Sequence, residues 1–224
     1  MIAWGMVAIV MVGTLVLALA IALIATQRKG ERTDRIEELR ELGFVVRSKP
    51  PRDKRAGLFE PFEGVPGLST GAKGLLMHAQ SDVDEMPVTL IRHSYMTLAG
   101  QTPIPVHHAV AGVACPQSWP VVRLKRRLGL FGFFGRGGPQ LDREPFNKRW
   151  RVYTDDEEFA IMLLTPVIQA WLEDAPRKES WRIGGGWVHC IWDGDPRGPD
   201  LKLLSRRPSR LRSMTPFELD AFGV

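Results

Sequence analysis

The first 27 residues carry no charged side chain, and the first charges, Arg28 and Lys29, arrive as a pair. No other feature constrains the chain as strongly. The run from Ile2 to Ala25 is almost wholly apolar, with Thr14 the only polar residue near its middle. At about 1.5 Å of rise per residue, a helix of this length reaches about 40 Å. It therefore crosses a hydrocarbon core of about 30 Å with some tilt. Trp4 sits near one end, where indoles favour the headgroup zone. A cleavable signal peptide would want basic residues first, a shorter apolar stretch and a small-x-small cleavage site. Here no Lys or Arg precedes the run, and more apolar residues follow the weak Ala18/Ala20 site. The expectation is an uncleaved transmembrane helix over 1–27.

Arg28, Lys29, Arg32 and Arg35 follow the span, with only the α-amino group before it. Positive flanks stay cytoplasmic. The sequence thus predicts a single-pass protein of the plasma (inner) membrane, amino terminus outside and carboxyl-terminal domain in the cytoplasm. Gly5, Gly13 and Ala20 on the anchor would permit close helix packing. Two cysteines, Cys115 and Cys190, are too few for a disulfide framework and suit a reducing compartment. The net charge of +5 lies wholly beyond the span. Beside a membrane it favours anionic lipid headgroups. Nucleic acid is not expected, because no binding motif accompanies the charge.

Residues 28–43 read as a juxtamembrane helix, with Ile36, Leu39 and Leu42 on one face and Gly43 as the stop. Phe44 to Val46 looks like a short strand. Residues 48–55 and 59–71, rich in Pro, Gly and cations, read as irregular. Strands are expected over 72–80, 88–97 and 106–115, joined by an acidic connector at 81–85 and a link at 100–103. Close spacing suggests an antiparallel meander. Another short strand is expected within 119–125 and one over 149–153. Thr154 or Asp155 would cap a helix whose stripe is Phe159, Leu163, Val167, Ala170 and Trp171, bent or broken at Pro166. The turn Gly184-Gly185-Gly186 joins a hairpin of 181–183 and 187–192. A helix is expected from Asp200 to Arg212, doubtful after Pro208, and a short one capped by Thr215. The fold class is α+β: one amino-terminal transmembrane helix, then a mostly antiparallel sheet domain over 44–193 with a packed helix, and a basic helical tail over 194–224.

No catalytic motif names a reaction, and no catalytic, cofactor-binding or metal site is predicted. His107 and His108 are adjacent, as are His189 and Cys190, so each pair points to opposite faces of a strand. No CxxC, HExxH or HxH spacing joins these residues with His78, His93 or Cys115. The glycines at 135–138 lack the context of a phosphate loop. Acids at 155–158 suit a helix amino terminus without any catalytic role. The cations at 206–212 read as a solvated surface.

The segment from Arg123 to Arg136 is the candidate contact site. Leu130, Phe131, Phe133 and Phe134 are costly to expose, at about 1.5–3 kcal/mol for each large side chain. Arg126, Arg127 and Arg136 bracket them. The loop packs in the core, dips into the membrane interface or docks on another membrane protein, in that order of expectation.

Leu42-Gly43-Phe44, Pro61-Phe62, an extended run ending near Tyr95, Pro116 and Trp119-Pro120 form a pattern with Phe146-Asn147-Lys148-Arg149-Trp150-Arg151-Val152. Asp155, Ala160, Leu163-Leu164 and Pro166 continue it. Over most of 42–193 the chain resembles an uncharacterised bacterial family of small single-pass membrane-anchored proteins, a domain of unknown function common in actinobacteria. The resemblance implies a β-rich domain with a flanking helix and assigns no activity, cofactor or catalytic residue. The basic aromatic loop and the longer Pro- and Arg-containing tail depart from that pattern. The functional expectation is a non-catalytic scaffold or accessory subunit of a membrane protein complex. The alternative is a small-molecule- or lipid-binding domain with a pocket lined by Trp181, Trp187 and Trp192, or an enzyme of unrecognised type.

Overall fold

The computed structural model describes residues 33–47, 65, 75–127 and 138–222, with 19, 22, 23, 26 and 30 as isolated positions. The expected span over 1–27 falls outside them except at 19, 22, 23 and 26, which are helical. Among the described residues no helix is long and apolar enough to cross a membrane, so the transmembrane reading rests on the sequence. Leu130, Phe131, Phe133, Phe134 and Arg136 of the aromatic loop also lie outside the described residues.

The chain divides into two compact units, Met1–Leu42 and Gly43–Val224. In the first, residues 33–41 are helical, and the Leu42 amide donates to the Glu38 carbonyl (3.2 Å). The second unit is built on an eight-stranded sheet in the order β1-β2-β3-β4-β8-β7-β5-β6. Its strands are β1 (Val45–Arg47), β2 (Leu75–Val83), β3 (Met86–Ala99), β4 (Thr102–Ala114), β5 (Val122–Arg126), β6 (Trp150–Thr154), β7 (Glu179–Gly184) and β8 (Trp187–Asp193). All neighbours are antiparallel.

The meander is longer and tighter than the sequence suggests. Val83 pairs with Met86, so the acidic connector shrinks to a two-residue turn with Asp84 at φ 51° and Glu85 at φ 64°. Positive φ at both central residues gives a turn whose twist matches its strands. Asp84 Oδ2 also accepts a hydrogen bond from the Ser209 hydroxyl (3.2 Å). Likewise Ala99 pairs with Thr102 around Gly100 and Gln101, which brings Pro103 and Pro105 into β4. Gly184 shows why the triple glycine is required. It sits at φ +104°, and a Cβ there would meet the Pro120 carbonyl oxygen at 2.1 Å.

One face of the sheet carries the helices α1 (Glu144–Arg149), α2 (Glu157–Leu163), α3 (Pro166–Glu173) and α4 (Pro199–Met214). Here Phe146, which the sequence placed at the approach to a strand, is helical. Its ring stacks on Trp150, one turn later, at 6.4 Å between centroids. Asp156, rather than Thr154 or Asp155, caps α2 by accepting from the Phe159 amide (2.8 Å). Pro166 starts a separate helix, where its missing N–H costs nothing, and Thr165 caps it. That break resets the phase of the apolar stripe. Ile168, Gln169 and Leu172 are buried, whereas Val167 is 66% exposed.

Helix α4 runs through Pro208 to Met214. The pyrrolidine faces inward with Leu204, Arg207 and Leu211, and packing against β4 and β8 outweighs the lost backbone bond. Arg207 is therefore buried, not part of a solvated basic surface. Thr215 is no N-cap, since its hydroxyl donates back to the Leu211 carbonyl, and a 3-10 turn over Phe217–Ala221 ends the described chain. Trp119 fastens that turn, its Nε1 donating to the Leu219 carbonyl (2.6 Å).

Trp150 closes the helical layer. It is buried, and its Nε1 donates to the Leu172 carbonyl at 2.9 Å. Trp150→Ala should destabilise the domain by about 3–5 kcal/mol. A denaturant midpoint within error of wild type would contradict this placement.

Candidate functional site

The other face of the sheet changes character along its width. Near β3, β4 and β8, Ile91, Val110 and Ile191 are buried with Val65. Toward β5, β6 and β7 the same face is polar and cationic. The alternation of β5 explains why: Val122 and Leu124 are buried among the helices, so Arg123 and Lys125 must face away from them. Across the strands Arg123 stands opposite Arg182 of β7 and Tyr153 of β6, and Lys125 opposite Arg151 of β6. Like charges directly opposite each other disfavour a sheet. No ion pair of the described residues involves Arg123, Lys125, Arg177 or Arg182. Burial and then the neighbouring Arg123 push the Arg182 pKa below its ordinary value.

At one end of these strands the surface sinks into a cleft of about 270 Å³. Arg123, Lys125, Arg177 and Arg182 form one side. Tyr95, His108 and Asp193 form the other, and Ser180, Ile191 and the Trp181 backbone contribute to the floor. His108 stacks on Tyr95 with ring centroids 5.6 Å apart, and its Nε2 lies 3.4 Å from the Tyr95 hydroxyl. The Asp193 carboxylate lies 3.1 Å from His108 Nδ1. His107, its neighbour in sequence, points to the opposite face, as strand alternation requires.

Beneath the floor lies a buried ion pair. Glu179 Oε1 accepts from Arg207 Nη2 and from Trp181 Nε1, both at 2.6 Å. The Arg207 guanidinium covers the Trp171 ring at 3.5 Å. Burial pushes the Glu179 pKa up, against the pull of Arg207, Trp181 and Arg126.

Of the residues singled out for contact in that loop, Arg126 and Arg127 are described. Arg126 bends under the sheet edge, its guanidinium 4.0 Å above the Trp150 ring and donating to the Ala175 and Pro176 carbonyls. Arg127 is tied to β6 by its Nε bond to the Trp150 carbonyl (3.2 Å). The chain returns at Gly138, where a Cβ would meet the Val152 carbonyl oxygen at 2.1 Å. Both ends of the loop thus lie against β6. The three tryptophans expected to line one pocket do not share a face: Trp181 and Trp192 point toward the helices, and Trp187 points away.

A second surface feature went unread in the sequence. Beyond His93 and His108 the β3–β4 hairpin continues alone, because among the described residues β2 and β8 stop there. The resulting arm exposes Met96 (62%), Leu98 (71%) and Ile104 (41%). Alternation of these residues with Thr and Pro hid it within ordinary strand patterning.

The thiols offer no activated nucleophile. Burial raises Cys115 to about 11 and Cys190 well above its ordinary value. Among the described residues no group of three or more His, Cys, Asp or Glu side chains could hold a metal ion.

No family model matches the chain, the expected domain of unknown function included, and no curated protein matches it. Among solved structures it is similar to the crystal structure of the mycobacterial trehalose monomycolate transport factor A, TtfA. The TM-score is 0.55 at 14% identity, over 84% of this chain and 97% of that one. At that identity the likeness shows a shared fold.

Two outcomes follow from the buried charges. Glu179→Ala should destabilise by about 3–5 kcal/mol by stranding Arg207, whereas Glu179→Leu with Arg207→Met should recover most of that loss in denaturant melts. If the double variant is no more stable than the single one, the pair has another role. Separately, burial and then His108 hold the His93 pKa below 6.5, and among the described residues neither of its ring nitrogens has a hydrogen-bond partner. The unfolded chain therefore binds more protons from about pH 6.5 down to the depressed folded value. Stability should fall as pH drops through that window, and His93→Gln should flatten the slope. An unchanged slope would exclude His93 as its source.

Proposed function

We propose that this protein is a membrane-tethered, non-catalytic accessory factor. Residues 1–27 cross the plasma (inner) membrane with the amino terminus outside. The α+β domain works at the cytoplasmic face as a scaffold for a membrane protein complex. The observation that carries this reading is the β3–β4 arm, which presents Met96, Leu98 and Ile104 to solvent. Met96 and Leu98 share one face of this projecting element, with Ile104 on the other beside Thr97, and exposed apolar groups on such an element mark a contact surface. Pro103 and Pro105 remove donors from its free edge, which limits indiscriminate strand pairing. The fold likeness to a protein titled a transport factor suits an assisting role. In the same reading the aromatic loop, with Leu130, Phe131, Phe133 and Phe134 between Arg126–Arg127 and Arg136, meets the bilayer or the partner, and the cations around it favour anionic headgroups.

The test combines anchoring with partner capture. The full chain should stay in membranes washed with alkaline carbonate, and protease outside intact cells should leave the domain whole. Met96→Glu with Leu98→Glu should leave the melting temperature unchanged but abolish a stoichiometric complex with a membrane protein. Release by carbonate removes the tether, external digestion reverses the orientation, and an undiminished complex removes the arm from the interface.

A further inference from the structure

We propose that the cleft between β5–β7 and the Tyr95–His108 wall is a binding site for a phosphomonoester. This goes beyond the accessory role and does not rest on the tether or the arm.

The first argument is charge. Arg123, Lys125 and Arg182 reach the cleft from two adjacent strands, and Arg177 stands at its rim. Among the described residues none of the four has an ion-pair partner, whereas the acids that also line the cleft are engaged: Glu179 with Arg207 and Trp181, Asp193 beside His108. Placing Arg123 opposite Arg182 costs the empty fold stability, a cost relieved when an anion lies between them. A carboxylate or phosphodiester brings one negative charge. A phosphomonoester brings about 1.5 to 2 at neutral pH and three acceptor oxygens, a closer match to this many cations.

The second argument is shape. Guanidinium forks engage phosphate oxygens in pairs, and Lys125 adds a point charge. The Ser180 and Tyr95 hydroxyls offer neutral donors at the same cleft. Ile191 provides an apolar floor against which a short carbon skeleton can rest. At about 270 Å³ the cleft falls just below the usual ligand-pocket range of about 300–1,000 Å³. It admits a phosphorylated headgroup or a small phosphorylated metabolite, not an acyl chain. A nucleic-acid strand would need a groove with successive stacking rings.

The experiment titrates the full-length protein in detergent, followed by calorimetry. The probes are glycerol 3-phosphate, dihexanoyl phosphatidic acid and, as the diester control, dihexanoyl phosphatidylglycerol. Saturable binding of either monoester is expected, with the diester about tenfold weaker or worse. Equal binding of both monoesters points to a soluble metabolite or an isolated headgroup, and binding of the phosphatidic acid alone points to a lipid source. Arg123→Gln with Arg182→Gln should weaken monoester binding about tenfold or more, as expected for losing charge-assisted hydrogen bonds. The same change should leave the ligand-free melting temperature equal or higher, because it removes a repulsion. Lys125→Gln, on the outer part of β5, serves as the independent variant and should weaken binding in the same direction. The proposal is overturned if neither monoester binds saturably, if the diester binds as well, or if these variants bind like wild type. A protein that leaves the membrane on washing yet binds phosphomonoester loses the tether and keeps the cleft.

Discussion

The Glu179–Arg207 contact joins three parts of the domain at one point. Glu179 opens β7, Arg207 lies midway along α4, and Trp171 of α3 covers the guanidinium. A buried ion pair adds little net stability against a well-packed hydrophobic substitute, but separating its members is costly. Its effect is therefore on arrangement: α4 cannot slide along the sheet without leaving one charge alone in the core. That fixed helix also explains how Pro208 is accommodated. The helix is held by its buried side, with Leu204, Arg207 and Leu211 inward, and one missing backbone bond does not release it.

With the helices fixed on one face, strand alternation decides the other. Trp181 and Leu124 point inward, so Arg182 and Arg123 have no choice but to project from the opposite side as neighbours. The same register places Ser180 and Ile191 at the cleft. A sheet face meant only for water would tolerate carboxylates interleaved with these cations, as mixed charge lowers repulsion. The retained imbalance is local, since it is confined to β5, β6 and β7, while Ile91, Val110 and Ile191 remain apolar on the same face.

Much of this architecture was legible in the residues. Strand periodicity and turn chemistry indicated the meander, the triple-glycine hairpin and the break at Pro166. The errors share a physical cause. Phe146 read as the approach to the strand at Trp150, yet the short helix Glu144–Arg149 precedes that strand and stacks the Phe146 ring on Trp150. Arg207 read as solvated because a run of cations usually is; only the tertiary position of Glu179, 28 residues earlier, makes it a core residue. The cleft was hidden for a similar reason. Arg123 and Arg182 are far apart in sequence, and nothing but register brings them together. The arm needed knowledge of where the neighbouring strands end, which no local pattern encodes.

These constraints connect the arm to the cleft. Tyr95 and His108 lie at the base of the arm, just where β8 stops supporting β4, and they also form a wall of the cleft. The Tyr95–His108 stack and the adjacent Asp193 carboxylate stiffen a hairpin that, among the described residues, lacks neighbouring strands farther out. An isolated two-stranded hairpin is marginal in water, so its order must come from its root. Any group bound against Tyr95 and His108 thus acts on the support of the arm. Contact along the arm reaches the same two side chains through the paired strands. The two surface features are mechanically adjacent, and the short stretch from Tyr95 to His108 is the element through which one can influence the other.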